Sequence, residues 1–181
     1  MKILIEAPTW IGDSVMISPA IENLVNYYHN PKIILIGSFS SVELFSNHPN
    51  IVETYILKKD YKSMYRFAKK LGYFDVIFSF RGSFRSSVLQ LIISSSKKYQ
   101  YKKKRYPGRH QVEKYNDFIN ESLNINSTSG VLKLHTKTSL LRKKLKPILG
   151  INPGASYGDA KQWYPRKFAD VIAILHEKYD I

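Results

Sequence analysis

The chain has 181 residues, 44% of them hydrophobic, no cysteine and a formal net charge of +14. That size and apolar content support a real core and exclude wholesale disorder. The missing thiol excludes a disulfide framework, a cysteine nucleophile and a thiolate metal site. The positive balance calls for an anionic partner, whether nucleic acid, a phosphorylated surface or an acidic metabolite.

In chain order, residues 2–7 (KILIEA) form a β-rich apolar run and predict a buried strand ending before Pro8. From Ser14, apolar residues recur at Ile17, Ile21, Leu24, Val25 and Tyr28, a helical period with Pro19 in its first turns. Residues 32–36 (KIILI) predict a strand ended by Gly37, 41–45 a short helix, and 51–57 a third strand. Residues 61–71 predict a helix stopped by Gly72, 75–80 (DVIFSF) a fourth strand, and 86–93 an apolar helix or buried segment. The run KKYQYKKKRYPGRH, 97–110, mixes cations with aromatics, and 111–123 is helical in pattern. Beyond the polar break NINSTSG come a short strand-like piece at 131–134 and a basic segment at 140–145. A strand is expected at 148–152, then the loop PGASYGDAKQW, then a helix after Pro165 marked by Phe168, Val171, Ile172 and Leu175.

Strand and helix alternate, so the fold class is α/β with a mainly parallel sheet. The expected domains are 1–146 and the start of a second, 147–181, each opening on a strand, Pro, Gly and helix. No run reaches the roughly 20 apolar residues that span a bilayer, and the amino end lacks a secretory pattern. The chain reads as cytoplasmic, with a membrane-surface contact allowed.

Ligands of such sheets bind in loops after the strands' carboxyl ends, where Asp13 and Arg81 both fall. Asp13 reads either as a helix N-cap or as a general base for a hydroxyl nucleophile. Gly12 beside it lets the backbone turn tightly or approach a ligand. The loop Gly154–Ala155–Ser156–Tyr157–Gly158–Asp159–Ala160–Lys161 offers free N–H groups, a hydroxyl and a mobile cation to a phosphate, or is a plain surface loop. It lacks the GxxxxGK[ST] and GxGxxG spacings. Trp163 reads as packing for the next helix. Arg81 and Arg85 suit an anionic acceptor or local ion pairs. The 97–109 run reads as a nucleic-acid patch, an anionic-lipid contact or a solvated loop. His110 reads as a loop residue with a phosphate or sugar contact as the alternative. The five histidines lack metal-ligand spacing, so no metal is expected.

Three segments together, APTWIGDSVMISPAIENL, DVIFSFRGSFRSS and NPGASYGDAKQWYPRKFADVI, resemble the ADP-heptose lipopolysaccharide heptosyltransferases, glycosyltransferase family 9. The resemblance implies the GT-B arrangement: one Rossmann-like amino-terminal domain, plus here the truncated start of a second, nucleotide-sugar-binding one. It implies inverting, metal-independent transfer of heptose from ADP-L-glycero-D-manno-heptose to a heptosylated lipopolysaccharide inner core. ADP-heptose is then a substrate, and no cofactor is expected. Asp13 matches the family's base. Lys161 matches its second-domain lysine, which acts with Gly154, Ala155 and Ser156 on the leaving diphosphate; Arg81 and Arg85 fall on the acceptor side. A contact with the inner membrane surface fits, and nucleic acid is not favoured. Family members are longer, so an amino-terminal fragment, inactive alone, is expected. The other reading is a non-enzymatic basic α/β module that binds nucleic acid or an anionic lipid surface; it requires a positive face centred on residues 102–109, with Asp13 only capping a helix.

Overall fold

A computed structural model describes residues 1–58, 60–136, 148–155 and 159–179. The chain divides into two compact units, Met1–Lys137 and Thr138–Ile181. The basic segment 140–145, Ser156 and the expected 146/147 boundary lie outside the described residues.

The first unit is built on five parallel strands, β1 (Lys2–Glu6), β2 (Lys32–Gly37), β3 (Ile51–Ile56), β4 (Tyr73–Ser79) and β5 (Ser94–Gln100), in the order β3-β2-β1-β4-β5. β1 sits at the centre, and its Ile3, Leu4 and Ile5 are fully buried. Helices cover both sheet faces, so the central strands are continuously apolar rather than alternating. Successive residues then serve opposite cores. Ile3, Ile5, Ile33, Leu35, Val76 and Phe78 face one, with α2 (Ser18–Tyr27) and α6 (Gln111–Leu123). Leu4, Ile34, Ile36 and Ile77 face the other, with α4 (Tyr61–Lys70) and α5 (Phe84–Ile92).

The structure departs from the sequence expectations in particular places. The first helix begins at Ile11, not Ser14, and is split into α1 (Ile11–Met16) and α2 at Ile17. Pro19 lies in the first turn of α2, where its missing N–H is harmless, but the same lack breaks a continuous ladder. The short helix α3 is Phe39–Glu43, capped by Ser38, which accepts from Ser41 N–H at 3.3 Å. Strand β5 occupies the start of the basic run. It is rich in Ser and Lys because it is an edge strand, where polar side chains discourage pairing with another chain. Residues 131–134 and 148–152 form no strand; neither has a pairing partner among the described residues. His110 caps α6: its Nδ1 accepts from Val112 N–H at 3.4 Å, while Glu113 accepts from His110 N–H at 2.9 Å.

Residues 131–136 return across α2. Lys133 N–H donates to Ser18 Oγ at 3.1 Å, and the Lys133 ammonium lies 2.9 Å from Glu22 Oε2. The other Glu22 oxygen is 2.9 Å from His135 Nε2 and 3.3 Å from His48 Nε2, the latter contact too poorly aligned for a hydrogen bond. His48 is buried, and its ring meets His135 edge-on at 4.5 Å. Burial, then the charge of His135, holds the His48 imidazole below its ordinary 6.5 despite Glu22. Burial raises the Glu22 carboxyl, but hydrogen bonds from Lys133 and His135 and nearby positive charge outweigh it, leaving it below 4.5. Below pH 6.5 the unfolded chain therefore takes up a proton at His48 that the folded chain resists. Stability falls as pH drops from 6.5 through the lower folded value, and Glu22 adds a second loss from 4.5 downward. Thermal unfolding across this range should show the first step in wild type and lose it in His48→Gln. An identical step in the variant would refute this origin.

Candidate functional site

The strands run β1-β2-β3 to one side of the sheet and β4-β5 to the other, so the chain reverses its winding between β1 and β4. The crevice outside their carboxyl ends is where open α/β sheets bind ligands. The loops after β1, β4 and β5 lead into it, and each is pinned by side chains. Ser14 and Ser41 hydroxyls approach Pro8 O at 3.2 and 2.6 Å, and Ser38 Oγ donates to Thr9 O at 3.0 Å. At the end of β5, Gln100 donates to the carbonyls of Arg81 and Ser83, each at 3.1 Å. A Cβ at Gly82 would lie 3.0 Å from Tyr101 O, so a larger residue there would have to push these two loops apart by a few tenths of an ångström.

Asp13 is not the helix cap. Trp10 holds that position, and Asp13 is the third residue of α1, a place the helix dipole favours for a carboxylate. It is half-buried, and its charge is felt by an aromatic pair, Tyr101 just after β5 and Tyr115 of α6. Burial first, and then the negative charge of Asp13 beside them, pushes the phenols of Tyr101 and Tyr115 up, against a hydrogen bond from Gln111. Both rings are buried, 4.9 Å apart, and Gln111 Nε2 donates to Tyr101 Oη at 3.1 Å. Gly12 has an ordinary helical φ, and a Cβ there would meet nothing within 4 Å, so no tight turn demands it and the space above it is open.

Arg81 and Arg85 are already engaged within the unit. Glu6, buried at the end of β1, accepts from Ser79 Oγ at 2.6 Å and Ser86 Oγ at 3.0 Å, and lies 3.6 Å from Arg81 Nη1. Burial pushes the Glu6 carboxyl up, while the two serines, Arg81 and Arg85 pull it down less. Arg81 is one-fifth exposed and joins β4 to β1 through this buried carboxylate. Arg85 donates to the Lys58 carbonyl, and its Nε is buried without a hydrogen-bond partner. Arg105 pairs with Glu121, and Arg109 with Asp117 at 2.6 Å, so acids of α6 offset the basic run there.

In the second unit, residues 148–155 carry no regular element, and Gly154 and Lys161 are exposed. A short 3₁₀ turn spans Asp159–Lys161, and Gln162 Nε2 donates to Ala155 O at 3.2 Å. Helix α7 (Pro165–Lys178) begins with Pro165 in its first turn. Trp163 is half-exposed and meets Phe168 edge-on at 5.1 Å. Thus Asp13 and Arg81 follow the carboxyl ends of the adjacent strands β1 and β4 in the first unit, and Lys161, Gly154 and Ala155 belong to the other unit. Glu6, Ser79, Ser86, Gln100, Tyr101, Gln111 and Tyr115 were not singled out from the sequence. A carboxylate inside an otherwise apolar strand (KILIEA) was the available signal for Glu6.

A five-stranded parallel sheet in this order, covered by helices on both faces, is a Rossmann-like domain of the GT-B type. The family model of glycosyltransferase family 9 (heptosyltransferase) matches residues 64–180, and the chain belongs to that family. It is 39% identical over 188 aligned positions to lipooligosaccharide heptosyltransferase 2 of Campylobacter jejuni subsp. jejuni serotype O:2, covering all of this chain and 58% of that protein. The serotype O:6 protein of the same name matches equally, with 59% of its length covered. The chain thus spans less than two thirds of these relatives. Among solved structures, E. coli heptosyltransferase WaaC with ADP-2-deoxy-2-fluoro heptose aligns with a TM-score of 0.77 at 14% identity, over 97% of this chain and 65% of that one. E. coli ADP-heptose lipopolysaccharide heptosyltransferase II aligns with a TM-score of 0.75 at 19% identity, over 99% and 62%.

Proposed function

We propose that this chain belongs to an inverting heptosyltransferase that moves heptose from ADP-L-glycero-D-manno-heptose to the heptosylated inner core of lipopolysaccharide. The observation that carries the reading is a half-buried carboxylate, Asp13, at the switch point of a family 9 fold. In this reading residues 1–146 form the acceptor-side domain and 147–181 belong to the nucleotide-sugar domain.

Transfer is one displacement. Asp13 takes the proton of the acceptor hydroxyl as its oxygen bonds the anomeric carbon, and ADP leaves from the opposite face with the bonding electrons. Charge grows on the diphosphate in the transition state, and donors aimed there speed the reaction. Lys161, the Ser156 hydroxyl and the N–H groups of Gly154 and Ala155 fill that role, and no metal is assigned to the step. Arg81, one-fifth exposed and held in place by Glu6, and Arg85, which also donates to the Lys58 carbonyl, add positive charge on the acceptor side beyond the pairs they make within the unit. The open space over Gly12 admits the acceptor beside Asp13. The test is release of ADP coupled to a heptose-sized mass gain on the acceptor, using the complete polypeptide. Failure of both with a confirmed acceptor would refute the assignment.

The protein works in the cytoplasm against the inner membrane surface, with α4 and α5 as the docking face. These two helices pack side by side, contain no acidic residue, and expose Tyr61, Tyr65 and Phe84 among Lys62, Arg66 and Lys70. The opposite face carries Asp13, Glu22, Glu113, Asp117 and Glu121 on its helices. No helix among the described residues is long and apolar enough to cross a membrane. Cations near an anionic bilayer contribute about 1 kcal/mol each. Vesicles containing phosphatidylglycerol should sediment with wild type and release K62E/R66E/K70E, while neutral vesicles bind neither. Equal binding of the variant would exclude this face.

A further inference from the structure

Three potential metal ligands converge in the first unit, away from the crevice, from three separate parts of the chain. Glu22 comes from α2, His48 from the turn before β3, and His135 from the segment that returns across α2. One ligand atom from each lies within 4.8 Å of the others. We infer that Glu22 Oε1, His48 Nε2 and His135 Nε2 form a binding site for a divalent transition metal of the zinc class, with water completing the shell.

Two of the three ligand–ligand edges are close to what such an ion needs, and the third, between the two imidazoles, lies within 4.8 Å and closes on binding. Zinc bonds to imidazole nitrogen and carboxylate oxygen are about 2.0–2.1 Å, which sets the edges of a tetrahedral site at about 3.3 Å. The Glu22–His48 separation is 3.3 Å, and the Glu22–His135 separation, 2.9 Å, has only to open by a few tenths. The His48 side chain is 3% exposed, and its Nε2 faces Glu22 Oε1 at 3.3 Å without full hydrogen-bond geometry, so a buried polar atom is left weakly satisfied beside the carboxylate. Buried polar atoms are seldom left in that state. Two imidazoles and a carboxylate suit zinc, cobalt or nickel better than magnesium or calcium. The second Glu22 oxygen is held by the Lys133 ammonium at 2.9 Å, which orients the carboxylate from outside the shell. Metal on His48 Nε2 moves the ring proton to Nδ1, so the bond that Nδ1 accepts from Asn50 N–H is given up, a cost that metal binding has to exceed. The ion would clamp residues 131–136 to α2 and take no part in sugar transfer.

The chain, freed of metal with a chelator, is titrated with Co²⁺ followed by its absorption spectrum, and with Zn²⁺ followed by calorimetry and thermal unfolding. The expected result is one equivalent bound, a tetrahedral cobalt spectrum and a rise in Tm with metal. His135→Ala, at a partly exposed position that permits folding, should bind about 100-fold more weakly, because even outer-shell partners of a ligand contribute about 10- to 100-fold. Lys133→Ala should keep the stoichiometry and the cobalt spectrum. No stoichiometric binding by wild type would overturn the inference. So would full binding by a folded His135→Ala, because the ion would then sit on other histidines.

Discussion

Asp13→Asn in the complete enzyme should lower kcat by about 10³-fold and leave KM for ADP-heptose nearly unchanged. A positioned general base contributes about 10²- to 10⁴-fold, and asparagine keeps the shape while losing the ability to take a proton. A 10³-fold loss corresponds to about 4 kcal/mol of transition-state stabilisation. Because Asp13 is not the cap of α1 and loses only its favourable first-turn charge, worth about 0.3–1 kcal/mol, the variant should unfold within a few degrees of wild type. A readout independent of turnover exists as well. The charge of Asp13 is one of the causes that push Tyr101 and Tyr115 up, so spectrophotometric titration should find both phenols ionising at lower pH in the variant. Undiminished turnover would remove Asp13 as the base. Unmoved phenols would mean that its charge does not reach the aromatic pair.

Phe78→Ala should cost about 3–5 kcal/mol of stability, the range for emptying an aromatic site in a packed core. Phe78 is fully buried on β4, beside β1. Its ring stacks on Tyr99 at 5.2 Å and meets Phe118 of α6 edge-on at 6.3 Å. One side chain therefore joins two strands and a helix, and the hole left by alanine cannot close without moving all three. Chemical denaturation of the isolated chain measures this. A loss below about 1 kcal/mol would mean that the site collapses freely and that Phe78 does not hold α6 to the sheet.

Much of the fold was legible in the sequence for local reasons. Runs such as KILIEA, KIILI and DVIFSF are apolar at successive positions because both faces of their strands are buried, and Gly and Pro punctuate them. β5 escaped notice because an edge strand is defined by its neighbour: SSSKKYQ has little apolar content, yet it pairs with β4 along most of its length. The expected strand at 148–152 failed for the complementary reason, a good local pattern with no pairing partner among the described residues.

The candidate site divides in the same way. Asp13 and Arg81 could be placed from sequence because both follow strand patterns by a few residues, and such loops converge at one edge of a parallel sheet. That Asp13 lies inside the helix rather than capping it depends on where α1 starts, which no residue preference announced, since Trp10 is a poor cap. Its neighbours Tyr101 and Tyr115 lie about a hundred residues away in the chain, hidden in a basic run and a helix. The buried Glu6–Ser79–Ser86–Arg81 group likewise spans β1, β4 and α5. Residue order carries the period, the breaks and the motif spacing, because those are properties of consecutive residues. Burial, proton affinity and the meeting of distant side chains arise only when the sheet closes on its helices. Only packing determines how far each charge is from water and from the next charge, so the surroundings of Asp13, Glu6 and the Glu22–His48–His135 cluster are fixed there.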